Sequence, residues 1–373
     1  MASQDAVASP PADQSRLESL VSEFQGCVYR NVAGYDAKYF PRRVLAHANQ
    51  PIALGSPPEL LSWLHEFQTQ QRGTAANKFI LHDVKGGFSG TLDQSLCLVR
   101  DTGPKSETSR SDADVLLLGL FQTETTCHKD EAAMLRFFYV SMRVFAALPD
   151  RPFLHAFCIS KSTMETWIFD RAGAYSGEAF DIVQEPDRFR NIIMAYMTMN
   201  DNGLGLNTAL QQDDQGVFLE LGGPRLSVEA EAFVKPDSLV GPGTTCFKAR
   251  MPGSSDQTLV VKFSWEQGQM PAEQKLLAFA NERRVWGLPQ LQGCRYLGDI
   301  AALRQGLQFD QPFELSLPPL NTEDAGEPRQ RADPESTPDT PSSKENAVSG
   351  VAKLETKSKF DNLNFLQAFS IAT

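Results

Sequence analysis

A glycine turn, then a lysine, then a glutamate carry the chemistry most readily read from this chain. Leu239-Val240-Gly241-Pro242-Gly243-Thr244-Thr245-Cys246-Phe247-Lys248-Ala249 reads as strand, tight turn and strand, and Lys262 follows in the run Leu259-Val260-Val261-Lys262. Backbone N–H groups of such a turn can cover phosphates, with glycine supplying positive φ at the bend, while a lysine on the next strand brings positive charge to them. Glu273 stands near the start of a predicted helix, Pro271-Ala-Glu-Gln-Lys-Leu-Leu-Ala-Phe-Ala280, where its carboxylate can hold the Lys262 ammonium. A plainer reading fits the same residues. Glycine turns join strands whatever their function, Lys262 is then an exposed strand-end lysine, and Glu273 is a first-turn acid favoured by the helix dipole. Spacing alone leaves both open.

These groups depend on the elements around them. Residues 1–14 are small, polar and proline-containing, and are expected to be disordered. Leu17, Leu20, Val21 and Phe24 recur at helical spacing, predicting a helix from about Ser15. A second helix is predicted from Pro57-Pro58, with Leu60, Leu61, Leu64 and Phe67 on one face. Apolar runs at Phe79–Leu81, Leu96–Val99 and Val115–Phe121 predict strands, followed by a helix over Ala132–Leu148 and strands at Phe153–Ile159 and Thr166–Phe169. This order describes an α/β layer unit. A strand at Gly216–Leu221 ends in the turn Gly222-Gly223-Pro224, which marks a domain boundary near residue 224.

The expected organisation is an N-terminal mixed α/β domain over 15–224 and a second unit over 225–317. A linker over 318–359, rich in Pro, Glu, Ser, Thr, Asp and Lys, is expected to be disordered, because it lacks the apolar side chains that offset chain entropy. Phe360, Leu363, Phe365, Leu366 and Phe369 then predict a short docking helix or a frayed tail over 360–373. No internal repeat is apparent.

Composition narrows the function classes. The chain has 373 residues, 41% hydrophobic and 22% charged, enough to bury sizeable cores in two domains. No uninterrupted apolar run approaches the roughly 18 residues of a membrane span, and Met1-Ala-Ser-Gln-Asp-Ala-Val lacks the basic and apolar regions of a secretory signal. A cytoplasmic or nuclear location without membrane association is expected. The six cysteines, at 27, 97, 127, 158, 246 and 294, form no C-x-x-C pair, so reduced and mostly buried thiols are expected, with no zinc ribbon. A net charge of −11 argues against nucleic acid as a partner.

Four blocks resemble a known family, the fungal-type protein kinase-like proteins. They are Trp167-Ile-Phe-Asp-Arg-Ala-Gly-Ala-Tyr-Ser176, Met199-Asn-Asp-Asn-Gly-Leu-Gly-Leu206, Val240-Gly-Pro-Gly-Thr-Thr-Cys-Phe-Lys-Ala249 and Val261-Lys-Phe-Ser-Trp265. The resemblance runs from about residue 25 to residue 300. It implies a protein-kinase-like N-lobe over 225–317 in which Gly241, Gly243 and Thr244 form the glycine-rich loop, Lys262 contacts phosphate and Glu273 is its helix partner. It also implies an ancestral Ser/Thr phosphotransfer from ATP, with Mg²⁺ bound only together with ATP.

Departures from the family pattern bear on activity. The loop lacks a third glycine and is two residues short of G-x-G-x-x-G-x-V, and Pro242 stiffens its tip, so ATP is expected to bind weakly. None of Asp299, Asp310, Asp324, Asp333, Asp339 and Asp361 has an Asn five residues on, and Asp324-Ala325-Gly326 mimics a metal-binding triplet without a catalytic loop before it. No catalytic or metal-binding residue is therefore assigned, and the chain alone is expected to transfer no phosphate. The alternative is a noncatalytic module that binds another protein, with Ser/Thr-Pro sites at Thr337-Pro338 and Thr340-Pro341 in its tail.

The N-terminal domain carries a second resemblance, to a degenerate restriction-endonuclease-like core. Asp93 could match that core's first aspartate, but its Glu-x-Lys position falls on Leu120-Phe121-Gln122, which cannot bind a metal or activate water. Cys127-His128 reads as a pair of loop residues, His155 as a satisfied core histidine, and Asp170-Arg171 as a strand-end ion pair before a turn.

Overall fold

A computed structural model describes residues 11–42, 51–71, 77–82, 95–101, 111–122, 131–220, 225–251, 258–267, 273–316 and 362–370. The first part of the chain forms α1 (Pro11–Phe24), β1 (Val28–Tyr29), α2 (Tyr35–Tyr39), α3 (Pro57–Gln70), β2 (Asn77–His82), β3 (Ser95–Arg100), β4 (Leu117–Gln122), α4 (Glu131–Ala147), β5 (Phe153–Ser160), β6 (Thr163–Asp170), β7 (Gly173–Ser176), β8 (Phe180–Asp181) and α5 (Pro186–Thr198). Its sheet runs β1-β7-β6-β5-β4-β3-β2, with β8 beside β6. Only β4–β5 and β1–β7 are parallel, and α4 is the crossover that the β4–β5 pair requires.

Helices cover both faces of this sheet, which is why its strands read as apolar runs rather than alternations. On one face Leu60, Trp63, Leu64 and Phe67 of α3 and Phe189, Ile192, Ile193 and Tyr196 of α5 pack on Phe157, Ile159 and Ile168. On the other, Leu20 and Phe24 of α1 and Phe137, Phe138 and Phe145 of α4 pack on Leu154, Ala156, Trp167 and Phe169. Each such side chain contributes about 1.5–3 kcal/mol by burial. The entry to α3 follows its sequence: Ser56 caps the helix by accepting from the Glu59 N–H, and Pro57 opens the first turn.

The remaining elements are β9 (Leu210–Asp213), β10 (Gly216–Leu219), β11 (Leu226–Val228), β12 (Thr245–Arg250), β13 (Thr258–Gln267), α6 (Glu273–Glu282), β14 (Gln290–Asp299), α7 (Ile300–Leu303) and β15 (Asn362–Ser370). They make a second, wholly antiparallel sheet in the order β14-β15-β13-β12-β11-β10-β9. Residues 362–370 are thus a strand seated between β13 and β14, neither the short helix nor the frayed tail that the apolar spacing suggested. Leu363, Phe365 and Phe369 fall at period-two positions, and the aromatic content favours a pleated strand over a helix.

Two segments tie the sheets together. Residues 229–244 leave β11, follow β12 loosely through Val234 and Cys246, and bring Leu239 into the core beneath α1 and α4. Residues 300–316, which follow β14, return to the first sheet. There Gln308 N–H donates to Ala33 O at 3.1 Å, Phe313 N–H donates to Val28 O at 2.7 Å, and Arg304 forms a bidentate pair with Asp170 at 2.7 and 2.8 Å. Asp170 therefore pairs with Arg304, correcting the expectation that it pairs with Arg171. An adjacent Asp and Arg at a strand end point to opposite sides, and Arg171 instead donates to the backbone carbonyls of Pro149, Ser238 and Leu239.

Cys27, Cys97 and Cys246 are buried thiols and Cys294 an exposed one. Cys158 is disulfide-bonded, which departs from the expectation of reduced thiols throughout. Among the described residues, no helix is long and apolar enough to cross a membrane.

Candidate functional site

Lys262 lies on β13 opposite Cys246 of β12, on the face covered by α6. Alternation along β13 puts Val260, Lys262 and Ser264 on this face, and Val261 and Phe263 on the other, where they join Leu219, Leu226, Val228 and Phe247 in the sheet's main core. Leu277 anchors α6 on Cys246 and Val260, and this contact delivers Glu273 in the first turn to Lys262. Lys262 Nζ donates to Glu273 Oε2, with the lysine side chain 19% and the glutamate 41% exposed. The pair is open enough to solvent for a ligand to approach it. Burial raises the Cys246 thiol above its ordinary pKa, Lys262 opposing and Glu273 adding to the rise. Ser264 Oγ is buried on the same face without a hydrogen-bond partner.

The glycine turn sits where the hairpin of β11 and β12 meets the first sheet. Gly241 has φ +128° and Gly243 φ +52°, conformations in which glycine is the favoured residue. Gly243 is constrained by space as well: a Cβ there would lie 2.5 Å from Arg171 Nε. Gly241 N–H donates to Arg171 O at 2.9 Å, Trp265 N–H donates to Pro242 O at 2.7 Å, and Thr245 Oγ1 donates to Pro149 O at 3.2 Å. Thr244, which joins Gly243 to β12, belongs to the same turn. The structure thus brings Lys262 and Glu273 into contact, and places Gly241, Gly243 and Thr244 beside the β13 end that follows Lys262, held against the first sheet.

Two residues of this arrangement escape sequence reasoning. Glu23 of α1 accepts from the N–H groups of Leu239 and Val240, more than two hundred positions away, and no local pattern announces such a contact. Arg171 lies in a block singled out for its family resemblance, yet its hold on the turn is a tertiary fact.

Elsewhere the sequence expectations meet the structure unevenly. Asp93, Cys127-His128, Asp324-Ala325-Gly326 and the threonines at 337 and 340 lie outside the described residues. Leu120 is buried on β4. Among the described residues, no three His, Cys, Asp or Glu side chains converge to hold a metal. The block from Met199 to Leu206 is a loop after α5: its Gly203 O meets His155 Nε2 at 2.9 Å, and its Leu204 O accepts from Arg151 Nη2 at 2.9 Å.

His155 is fully buried among Tyr39, Phe40, Phe153 and Tyr196, and burial drives its pKa down to about 3, against the smaller opposing effect of the Gly203 carbonyl. An unfolded histidine binds a proton near pH 6.5, so between that pH and 3 the unfolded state holds more protons and stability falls as the solution is acidified. The expected loss is about 1.6 kcal/mol between pH 6.5 and 5. His155→Gln keeps a donor for Gly203 and should flatten this part of the stability curve in urea titrations; an unchanged slope would show that the ring titrates normally.

A lysine on a sheet strand paired with a glutamate on the following helix is the arrangement by which protein kinases hold the phosphates of their nucleotide. Residues 95–365, well over half of the chain, match the family model described as fungal protein kinase, and the chain belongs to that family. No curated protein and no solved structure matches it.

Proposed function

We propose that the second sheet and α6 form the nucleotide-binding small lobe of a protein kinase-like protein, and that the residues present here transfer no phosphate themselves. The observation that carries the reading is the Lys262–Glu273 pair on β13 and α6. The residues fit the phosphates of ATP in that the ammonium is already oriented, and the unpartnered Ser264 hydroxyl adds a polar group on the same face. ATP, with Mg²⁺ carried by its phosphates, would supply the transferable group. Lys262 would bind and orient the α and β phosphates, and Glu273 would hold the ammonium there. Weak binding is expected, because the N–H groups of Leu239, Val240 and Gly241 are already donated within the chain. Residues 263–373 contain neither an Asp with an Asn five residues on nor a metal triplet that follows such a loop, so the group that orients a hydroxyl for attack is not among them.

Thermal unfolding tests this reading. ATP at 100 times its Kd raises stability by about 2.7 kcal/mol, and even millimolar binding gives a measurable rise in midpoint. The rise should persist without Mg²⁺ in reduced form and vanish in Lys262→Met. A folded protein whose midpoint ignores ATP would overturn it.

One observation favours a second reading, a noncatalytic protein-interaction module. Leu276 and Phe279 on the outer face of α6 are 53% and 52% exposed, and Trp286, just beyond the helix, is 97% exposed. Large apolar side chains left in solvent at one end of a sheet mark a surface that another protein can cover. The two readings are compatible, since Glu273 pairs with Lys262 from the first turn of α6, while Leu276, Phe279 and Trp286 lie further along the chain.

A further inference from the structure

The glycine turn carries a backbone anion site, and the chain fills it from within. Glu23, next to the last residue of α1, sends Oε1 to the N–H of Leu239 and to the N–H of Val240, the second at 2.9 Å. Two consecutive N–H groups that converge on one oxygen are the concavity in which proteins bind phosphate and carboxylate. A cation backs the site: the Arg171 guanidinium donates to Ser238 O and Leu239 O, each at 3.2 Å, and stacks on Phe145 at 4.5 Å. Both Asp170 oxygens are held by Arg304, and the carboxylates that act most strongly on the Arg171 charge are Asp150 and Glu23 itself. Burial raises the Glu23 carboxyl above its ordinary pKa, with the two N–H groups and Arg171 opposing, so the acid sits in a site that attracts anions but disfavours its own desolvation.

The site is also joined to the candidate nucleotide pocket. Trp265 N–H donates to Pro242 O at 2.7 Å, and Trp265 is three residues past Lys262, about 10 Å along the strand.

We propose that Glu23 is a built-in substitute for a phosphate group: it occupies the anion site at Leu239 and Val240, and a phosphate binds there when the Glu23 side chain swings away, α1 itself staying anchored by Leu20 and Phe24. The ligand class is a polyphosphate, either that of a nucleotide held at Lys262 or free pyrophosphate. In the nucleotide case the inference rests on the reading of Lys262 above. Glu23 then acts as a plug that keeps the turn closed.

The experiment compares the full chain with Glu23→Ala and Glu23→Gln, by calorimetric titration with pyrophosphate and with ATP, and repeats both titrations after adding Lys262→Met. Removing the partly buried carboxylate frees two donors and deletes a like charge, so Glu23→Ala should bind pyrophosphate about tenfold or more tighter than the unaltered chain. Glu23→Gln, whose neutral carbonyl still accepts from the turn, should fall between them and guards against a folding defect in the alanine variant. Tighter binding of both ligands, with only the ATP gain lost on Lys262→Met, would support the plug and the nucleotide pocket together. Tighter pyrophosphate binding with ATP indifferent to Lys262→Met would support the plug and sink the nucleotide reading. ATP binding that depends on Lys262 but is unchanged by both Glu23 variants would overturn the plug alone. No binding of either ligand by any folded variant would overturn both.

Discussion

Asp170→Ala is expected to cost about 3–5 kcal/mol in urea or guanidinium denaturation, close to half the stability of an ordinary domain. Asp170 is 0% and Arg304 4% exposed, and the two share both hydrogen bonds of a fork-to-carboxylate pair. The carboxylate also accepts from the Ala172 N–H at 2.8 Å, so its removal strands a buried guanidinium and frees a turn amide at once. The Arg304 guanidinium lies over Tyr175 at 4.9 Å and over Phe309 at 5.1 Å, leaving water little access to the stranded charge. Replacing both partners, as in Asp170→Ala with Arg304→Met, should recover much of the loss, because the penalty comes from the unpaired charge more than from the missing attraction. Glu231→Ala serves as the surface comparison: Glu231 is 86% and its partner Lys235 47% exposed, and its removal should cost less than about 1 kcal/mol. If Asp170→Ala cost no more than Glu231→Ala, residues 300–316 would not be held to the first sheet by this pair.

Gly173→Ala should be as damaging for a different reason. Gly173 has φ +128°, which side-chain-bearing residues rarely adopt, and a Cβ there would lie 2.0 Å from the carbonyl oxygen of Cys27. That carbonyl accepts from Ala174 N–H at 3.1 Å, the contact that starts the parallel pairing of β1 with β7, so it cannot retreat without losing the strand pair. Backbone strain of this kind costs about 1–3 kcal/mol by itself, and the collision adds to it. Gly216→Ala separates the two effects: Gly216 has φ +119° but nothing within 4 Å of its would-be Cβ, so only the strain remains. The expected outcome is a folded Gly216→Ala with a modest fall in Tm and a Gly173→Ala that is largely insoluble. Equal losses in the two would show that the Cys27 carbonyl yields.

Both substitutions fall in the block from Trp167 to Ser176, and its roles show how far sequence reaches. The residues read as structural, and they are: Asp170 fixes residues 300–316, Arg171 holds the glycine turn, and Gly173 admits β1. The type and place of each were visible, but the partners were not, since they lie 134, 67 and 146 positions away along the chain. The same limit applies to Glu23, whose partners Leu239 and Val240 lie 216 and 217 positions away. The Lys262–Glu273 pair was one of two readings that spacing left open, and the family resemblance pointed to it; strand and helix adjoin in sequence, so no distant contact was needed to find it. The helix α5 could have been read from Pro186 at its first turn and from Phe189, Ile192, Ile193 and Tyr196 at helical spacing. Its apolar face simply stood between two glycine-rich stretches that drew attention as motifs. For β15, apolar residues after a long polar stretch read as a short helix or a frayed tail, and the long-range pairing with β13 and β14 that makes them a strand has no local signal.

The seat of β15 has a consequence for the order of assembly. A strand that lies between β13 and β14 must arrive after both of them have left the ribosome, some sixty residues behind β14. Until then the two flanks have nothing to bridge them, and β13 offers an open row of backbone donors and acceptors to any other chain. Pairings of such high sequence separation form slowly because loop closure precedes their reward. The second sheet is therefore left with an open gap through the roughly sixty residues synthesised between β14 and β15, an interval in which a chaperone's cover would limit mispairing.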